Sequence, residues 1–97
     1  MTFRIPASNE NLANAMRKIG YHPIDVSEQG QLNCVRPLFG QNYPRFHIYS
    51  KEEKNEIIIN LHLDQKKPSY PGAHAHSGDY DSETIRDEAG RIKSILK

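Results

Sequence analysis

Between residues 45 and 64 apolar and polar positions alternate. Phe46 and Ile48 recur at every second position, and so do Ile57, Ile59, Leu61 and Leu63. Side chains of a strand point alternately to its two faces. The pattern therefore predicts two strands, Arg45 to Ser50 and Glu56 to Asp64, joined by a polar turn over Lys51 to Glu56. The six apolar side chains can share one core only in a register that places Arg45, His47 and Tyr49 on the opposite face, with Ile58, Asn60, His62 and Asp64. In that register His47 stands either directly opposite His62 or diagonal to it, about 5 to 8 Å away at Cβ.

The rest of the chain surrounds this hairpin with weaker signals. Thr2 to Ile5 reads as a short strand closed by Pro6, which has no N–H to extend a ladder. Leu12, Ala15, Met16 and Ile19 fall on one helical face, with Ser8 as the expected capping oxygen, Arg17 and Lys18 at the C-terminal dipole and Gly20 as the stop. Ile24 to Val26 and Gln31 to Arg36 form a second expected hairpin around the turn residues Ser27 to Gly30, with Leu32 and Cys34 on one side.

Residues 65–81 contain Pro68, Pro71, Gly72 and Gly78 and read as a long irregular loop, with Tyr70-Pro71-Gly72-Ala73 suited to a type II turn. A last helix begins near Asp81 or Ser82 and carries Ile85, Ala89, Ile92 and Leu96 on one stripe. Its early turns hold Glu83, Asp87 and Glu88 and its late turns Arg91, Lys93 and Lys97, matching the helix dipole. The predicted order is β-α-β-β-β-β-α. This is an α+β fold, a single domain over 1–97 with one antiparallel sheet of about four to five strands and both helices on one face.

Composition narrows the function classes. A chain of 97 residues, 36% hydrophobic and 26% charged, can bury one modest core. Lys and Arg total 13 against 12 Asp and Glu, so the strongly basic signature of a dedicated duplex-DNA binder is missing. No run approaches the roughly 18 apolar residues of a membrane span, and no secretory leader pattern is present. Cys34 is the only cysteine, which excludes an intrachain disulfide and a multi-cysteine zinc site and points to a reducing, cytoplasmic setting. Nothing near it suggests thiolate activation, so it reads as a small buried hydrophobe.

Five histidines in so short a chain are the feature to follow. An antiparallel sheet often has one plain solvated face, but the residue types here, Arg45, His47, Tyr49, Asn60, His62 and Asp64, are those that gather where ligands bind. Lys66 and Lys67 follow directly and extend this candidate ligand-binding set. His74 and His76 have the one-residue spacing that can converge on zinc, with His62 and either Asp64 or Asp79 completing a tetrahedral set. Alternatively, His47 and His62 with Lys66 or Lys67 could form a metal-free acid–base pair for phosphodiester cleavage. Tyr43, Tyr49 and Tyr70 beside Arg45, Lys66 and Lys67 would suit RNA or single-stranded DNA. A protein partner on the polar face or a sheet edge, and a homodimer through an edge, are further expectations. His22, before Pro23, reads as structural.

The segments Tyr43-Pro-Arg-Phe-His-Ile-Tyr49, Leu61-His-Leu-Asp-Gln-Lys-Lys-Pro-Ser-Tyr70 and His74-Ala-His-Ser-Gly-Asp-Tyr-Asp81 resemble those of short proteins of unknown function from uncultivated bacteria, a likeness that implies no chemistry. The helix ending Arg17-Lys18-Ile19-Gly20-Tyr21, followed by a hairpin, a histidine and a final helix, is similar in outline to the HicA-type mRNA interferases. That resemblance implies a small double-stranded-RNA-binding-like fold and a histidine at a strand, the place held here by His47. The family's Gly-Ser-His is replaced by Gly40-Gln41-Asn42, and the balanced charge departs from such toxins.

Overall fold

The computed structural model describes residues 1–65 and 83–96. Along the chain come β1 (Thr2–Pro6), α1 (Leu12–Lys18), β2 (His22–Val26), β3 (Leu32–Pro37), β4 (Arg45–Glu53), β5 (Glu56–Asp64) and α2 (Glu83–Leu96), the expected order. All five strands pair antiparallel in one sheet, ordered β1-β5-β4-β3-β2. Strands β2 to β5 thus form a continuous meander, and β1 returns to close the far side of β5.

Both helices cover the same face. Helix α1 lies against β2, β3 and β4, and α2 against β1 and β5. Alternation in the strands sends Ile48, Ile57, Ile59 and Leu61 into this layer, where they are buried with Met16, Ile19, Ile85 and Ile92. Phe46 is buried in the same core and Leu63 packs at its rim, so all six apolar positions of the central hairpin face the helices. The stripe of α2 behaves as its spacing predicts, with Ile85, Ala89 and Ile92 buried and Leu96 half-buried.

Two local expectations are corrected. The cap of α1 is Asn11, whose side-chain oxygen accepts from the Asn14 N–H at 2.8 Å, while Ser8 Oγ accepts from the Glu10 N–H at 3.2 Å and shapes the preceding turn. The polar stretch 51–56 is mostly strand rather than turn. Pairing of β4 with β5 runs from Arg45 opposite Asp64 to Glu53 opposite Glu56, leaving only Lys54 and Asn55 as the loop. Both have positive φ, 50° and 66°, the backbone of a two-residue turn that matches strand twist. Polarity alone misplaces this turn because the end of the hairpin is solvated, and a strand there carries charged side chains without cost to the core.

Candidate functional site

The face of the sheet opposite the helices carries the polar set. Cross-strand pairing places His47 directly opposite His62, Tyr49 opposite Asn60 and Arg45 opposite Asp64. One row runs His22, Val35, His47, His62 across β2 to β5, and the next runs Asp25, Asn33, Tyr49, Asn60, Thr2 across all five strands. His22 therefore lies on the same face as the other two described histidines, separated from His47 by Val35. A bulge between Pro23 and Asp25 keeps both His22 and Asp25 on this side of β2.

The center of the face is an aromatic and ionic cluster. The rings of His47 and Tyr49 stack with centroids 4.5 Å apart, and Tyr49 meets His62 edge-on at 5.4 Å. His47 Nδ1 lies 2.9 Å from Asp64 Oδ2, and Arg45 Nε approaches the same oxygen at 3.5 Å. Arg45 also lies over the Tyr43 ring at 4.6 Å. Burial by itself would raise the Asp64 carboxyl, but the hydrogen bond and charge of His47, with Arg45, hold it below the usual carboxylate range. Tyr49 is raised by burial and by the Asp64 carboxylate, against the opposing pull of Arg45.

With Asp64 ionised, its hydrogen bond to His47 requires the proton on Nδ1. The other ring nitrogen is Nε2. That atom is screened from solvent and has no hydrogen-bond partner among the described residues, and the same holds for Asn33 Oδ1. Asn33 faces Tyr49 directly and His47 on the diagonal. Two buried polar atoms without a partner thus lie on one face, on residues that are diagonal cross-strand neighbours roughly 7–8 Å apart at the backbone. Unpartnered buried polar atoms of this kind are uncommon and costly.

The charges of the face carry a small acidic excess, three cations against four carboxylates. Register assigns it Arg4, Arg45 and Lys51 against Asp25, Glu53, Glu56 and Asp64. Arg4 pairs with Glu56 at 3.3 Å and Lys51 with Glu53 at 2.8 Å. Among the described residues the face offers no run of unpaired cations to a phosphate backbone. Lys66, Lys67, Tyr70, His74, His76 and Asp79 lie outside the described residues. Within those described, no cluster of three or more His, Cys, Asp or Glu side chains could hold a metal ion.

A second polar cluster, in the helical layer, is one that sequence reasoning missed. Glu88 of α2 is buried. It receives the Tyr21 hydroxyl at 2.6 Å, a forked pair of bonds from Arg91 Nε and Nη2 at 2.8 Å each, and two longer approaches from Arg36 Nη1 at 3.4 Å. Arg91 Nη2 also donates to the Ile19 carbonyl at 2.6 Å, tying α2 to the end of α1. Burial pushes the Glu88 carboxyl up, yet its bonds from Arg91 and Tyr21 and the two guanidinium charges bring it below the ordinary range. The signal was present in the chain, since position 88 belongs to the buried stripe 85, 88, 89, 92 of α2.

Comparison of the chain with protein-family models, curated proteins and solved structures found no match. Among the described residues, no helix is long and apolar enough to cross a membrane.

Proposed function

We propose that this chain is a binding module that uses the outer face of its sheet with His47 neutral and protonated on Nδ1, and that its ligand is neutral or cationic and donates hydrogen bonds. The observation that carries this reading is the pair of buried, partnerless atoms His47 Nε2 and Asn33 Oδ1, one on the residue stacked against Tyr49 and the other on the residue directly opposite it. A ligand with two N–H or O–H groups would satisfy both, and the tyrosine supplies a planar apolar surface beside them. Arg45, Asn60, His62 and Asp64 frame the same strip. The small acidic excess among the described residues supports a donor ligand over a polyanion, because phosphate recognition draws on uncancelled Lys and Arg.

The test is an imidazole- and amide-resolved NMR titration with a fragment set rich in amidines, primary amides and diols. The expected result is that the Nε2 resonance of His47 and the side-chain amide of Asn33 move together, with Tyr49 following. Fragments that leave all three unmoved overturn the reading.

A second reading is favoured by the bond between Asp64 and His47, which orients an imidazole as a general base directly opposite His62. Phosphodiester hydrolysis by this pair requires that replacing both His47 and His62 by Ala abolish cleavage of an RNA substrate. Absent activity in the parent chain, or activity retained in the double variant, eliminates it.

A further inference from the structure

On the helical side of the molecule, away from the histidine face, a solvent-open cleft of about 390 Å³ lies between α2 and the chain that leaves β3. Its volume falls within the roughly 300–1,000 Å³ of small-molecule sites. One wall is apolar, made by Leu38, Phe39 and Phe46. Phe39 is 76% exposed, unusual for so large an apolar side chain. The other wall is α2, which contributes Thr84, Asp87, Glu88 and Arg91.

The charges lining the cleft do not all cancel internally. Glu88 is engaged by the fork of Arg91 at 2.8 Å on both oxygens and by Tyr21 at 2.6 Å. Three of its roughly four acceptor sites are taken, and Arg36, using one nitrogen, stands 3.4 Å from both oxygens. Arg36 is thus a guanidinium held over the Phe46 ring, 6.0 Å from its centroid, with donors left for another acceptor. Asp87 is exposed and forms no ion pair among the described residues. Among the described residues the cleft therefore presents an incompletely paired cation, Arg36, an anion without an ion pair, Asp87, and an apolar wall.

From this combination we infer that the cleft is a binding site for a free α-amino acid with a large apolar side chain. The α-carboxylate sits on Arg36, the α-ammonium on Asp87, and the side chain covers Phe39, Leu38 and Phe46. A zwitterion meets both charges, whereas an apolar anion alone would face Asp87 and an apolar cation alone would face Arg36. Thr84 offers a hydroxyl to either head group.

Three probes that differ only in their head groups test the assignment on the full chain: L-phenylalanine, 3-phenylpropanoate without the ammonium, and phenethylamine without the carboxylate. Binding is followed by NMR of the Arg36 Nε–H and the Phe39 ring. L-Phenylalanine should shift both signals, and each one-charge probe should bind about tenfold more weakly or worse, on the order of 1.4 kcal/mol. Asp87→Asn, on an exposed position, should erase the preference over 3-phenylpropanoate, and Arg36→Gln the preference over phenethylamine. Equal binding of all three probes, or no shift of these signals at several millimolar L-phenylalanine, overturns the proposal. The probe comparison needs no variant, so a failure of Arg36→Gln to fold leaves the test intact.

Discussion

His47 Nδ1 meets Asp64 Oδ2 at 2.9 Å although the two residues are not cross-strand partners. Asp64 stands opposite Arg45, and His47 opposite His62, so the contact runs along the diagonal of the ladder. The diagonal orients the imidazole and ties the buried Asp64 carboxylate to it, with the partnerless Nε2 at the other ring nitrogen.

Asp64 makes stability dependent on acid. Its carboxyl is held below its ordinary value in the folded chain, so the stabilisation it supplies is present above the unfolded value of about 4 and is lost as pH falls through the lower, folded value. Urea unfolding across pH 2 to 6 should show this decline, and Asp64→Asn should flatten it. At neutral pH the same substitution should cost about 1–3 kcal/mol, because His47 and Arg45 lose a buried charged acceptor.

Tyr21 gives the opposite dependence at the alkaline end. Burial, followed by its bond to Glu88 and the charge of that carboxylate, pushes its hydroxyl far above the ordinary tyrosine value. Its contribution is therefore complete below about pH 10 and is lost as pH rises beyond that. In an alkaline absorbance titration, one of the five tyrosines should ionise only when the chain unfolds. Tyr21→Phe should cost about 1.5–3 kcal/mol. Glu88→Ala should cost more, about 3–5 kcal/mol, because it strands Arg91 and Arg36 without their acceptor.

Gly90 offers a gain. It lies within α2, exposed, and a Cβ built on it meets nothing within 4 Å. Gly90→Ala should stabilise the chain by about 1 kcal/mol through helix propensity alone, raising the urea midpoint with an unchanged slope.

Cys34 should be inert in the native state. It is fully buried, and burial pushes its thiol up to about 11 against a smaller opposing effect of Arg17. Labelling with a thiol reagent at neutral pH should follow the rate or population of opening, and core-destabilising variants such as Tyr21→Phe should accelerate it. Rapid labelling of the folded chain would contradict this burial.

What the amino-acid sequence determines by itself is sidedness. Six apolar residues at period two in β4 and β5 leave one choice of inner face, so the company of Arg45, His47, Tyr49, Asn60, His62 and Asp64 on the outer face is readable without coordinates. The stripe of α2 and the burial of Cys34 are legible for the same reason, since local periodicity must match the period of the element. The loop between β4 and β5 was harder. Only backbone geometry shows that two residues with positive φ suffice, and that loop length selects the directly opposite pairing of His47 with His62.

Tertiary structure decided the rest. Docking of β1 on β5, of β3 on β4 and of β2 on β3 extends the polar rows beyond the central hairpin, bringing Asn33, Asp25 and His22 onto the candidate face from segments whose own patterns are too short to assign. Glu88 reads as a dipole-matching surface acid until α2 packs. The orientation of α2 over the sheet then buries it among Tyr21, Arg36 and Arg91, residues drawn from β3, α2 and the turn after α1. Periodicity specifies which way a side chain points from its own backbone. The partners it meets depend on contacts across 52 and 67 residues of chain, and those are set only when the layers close.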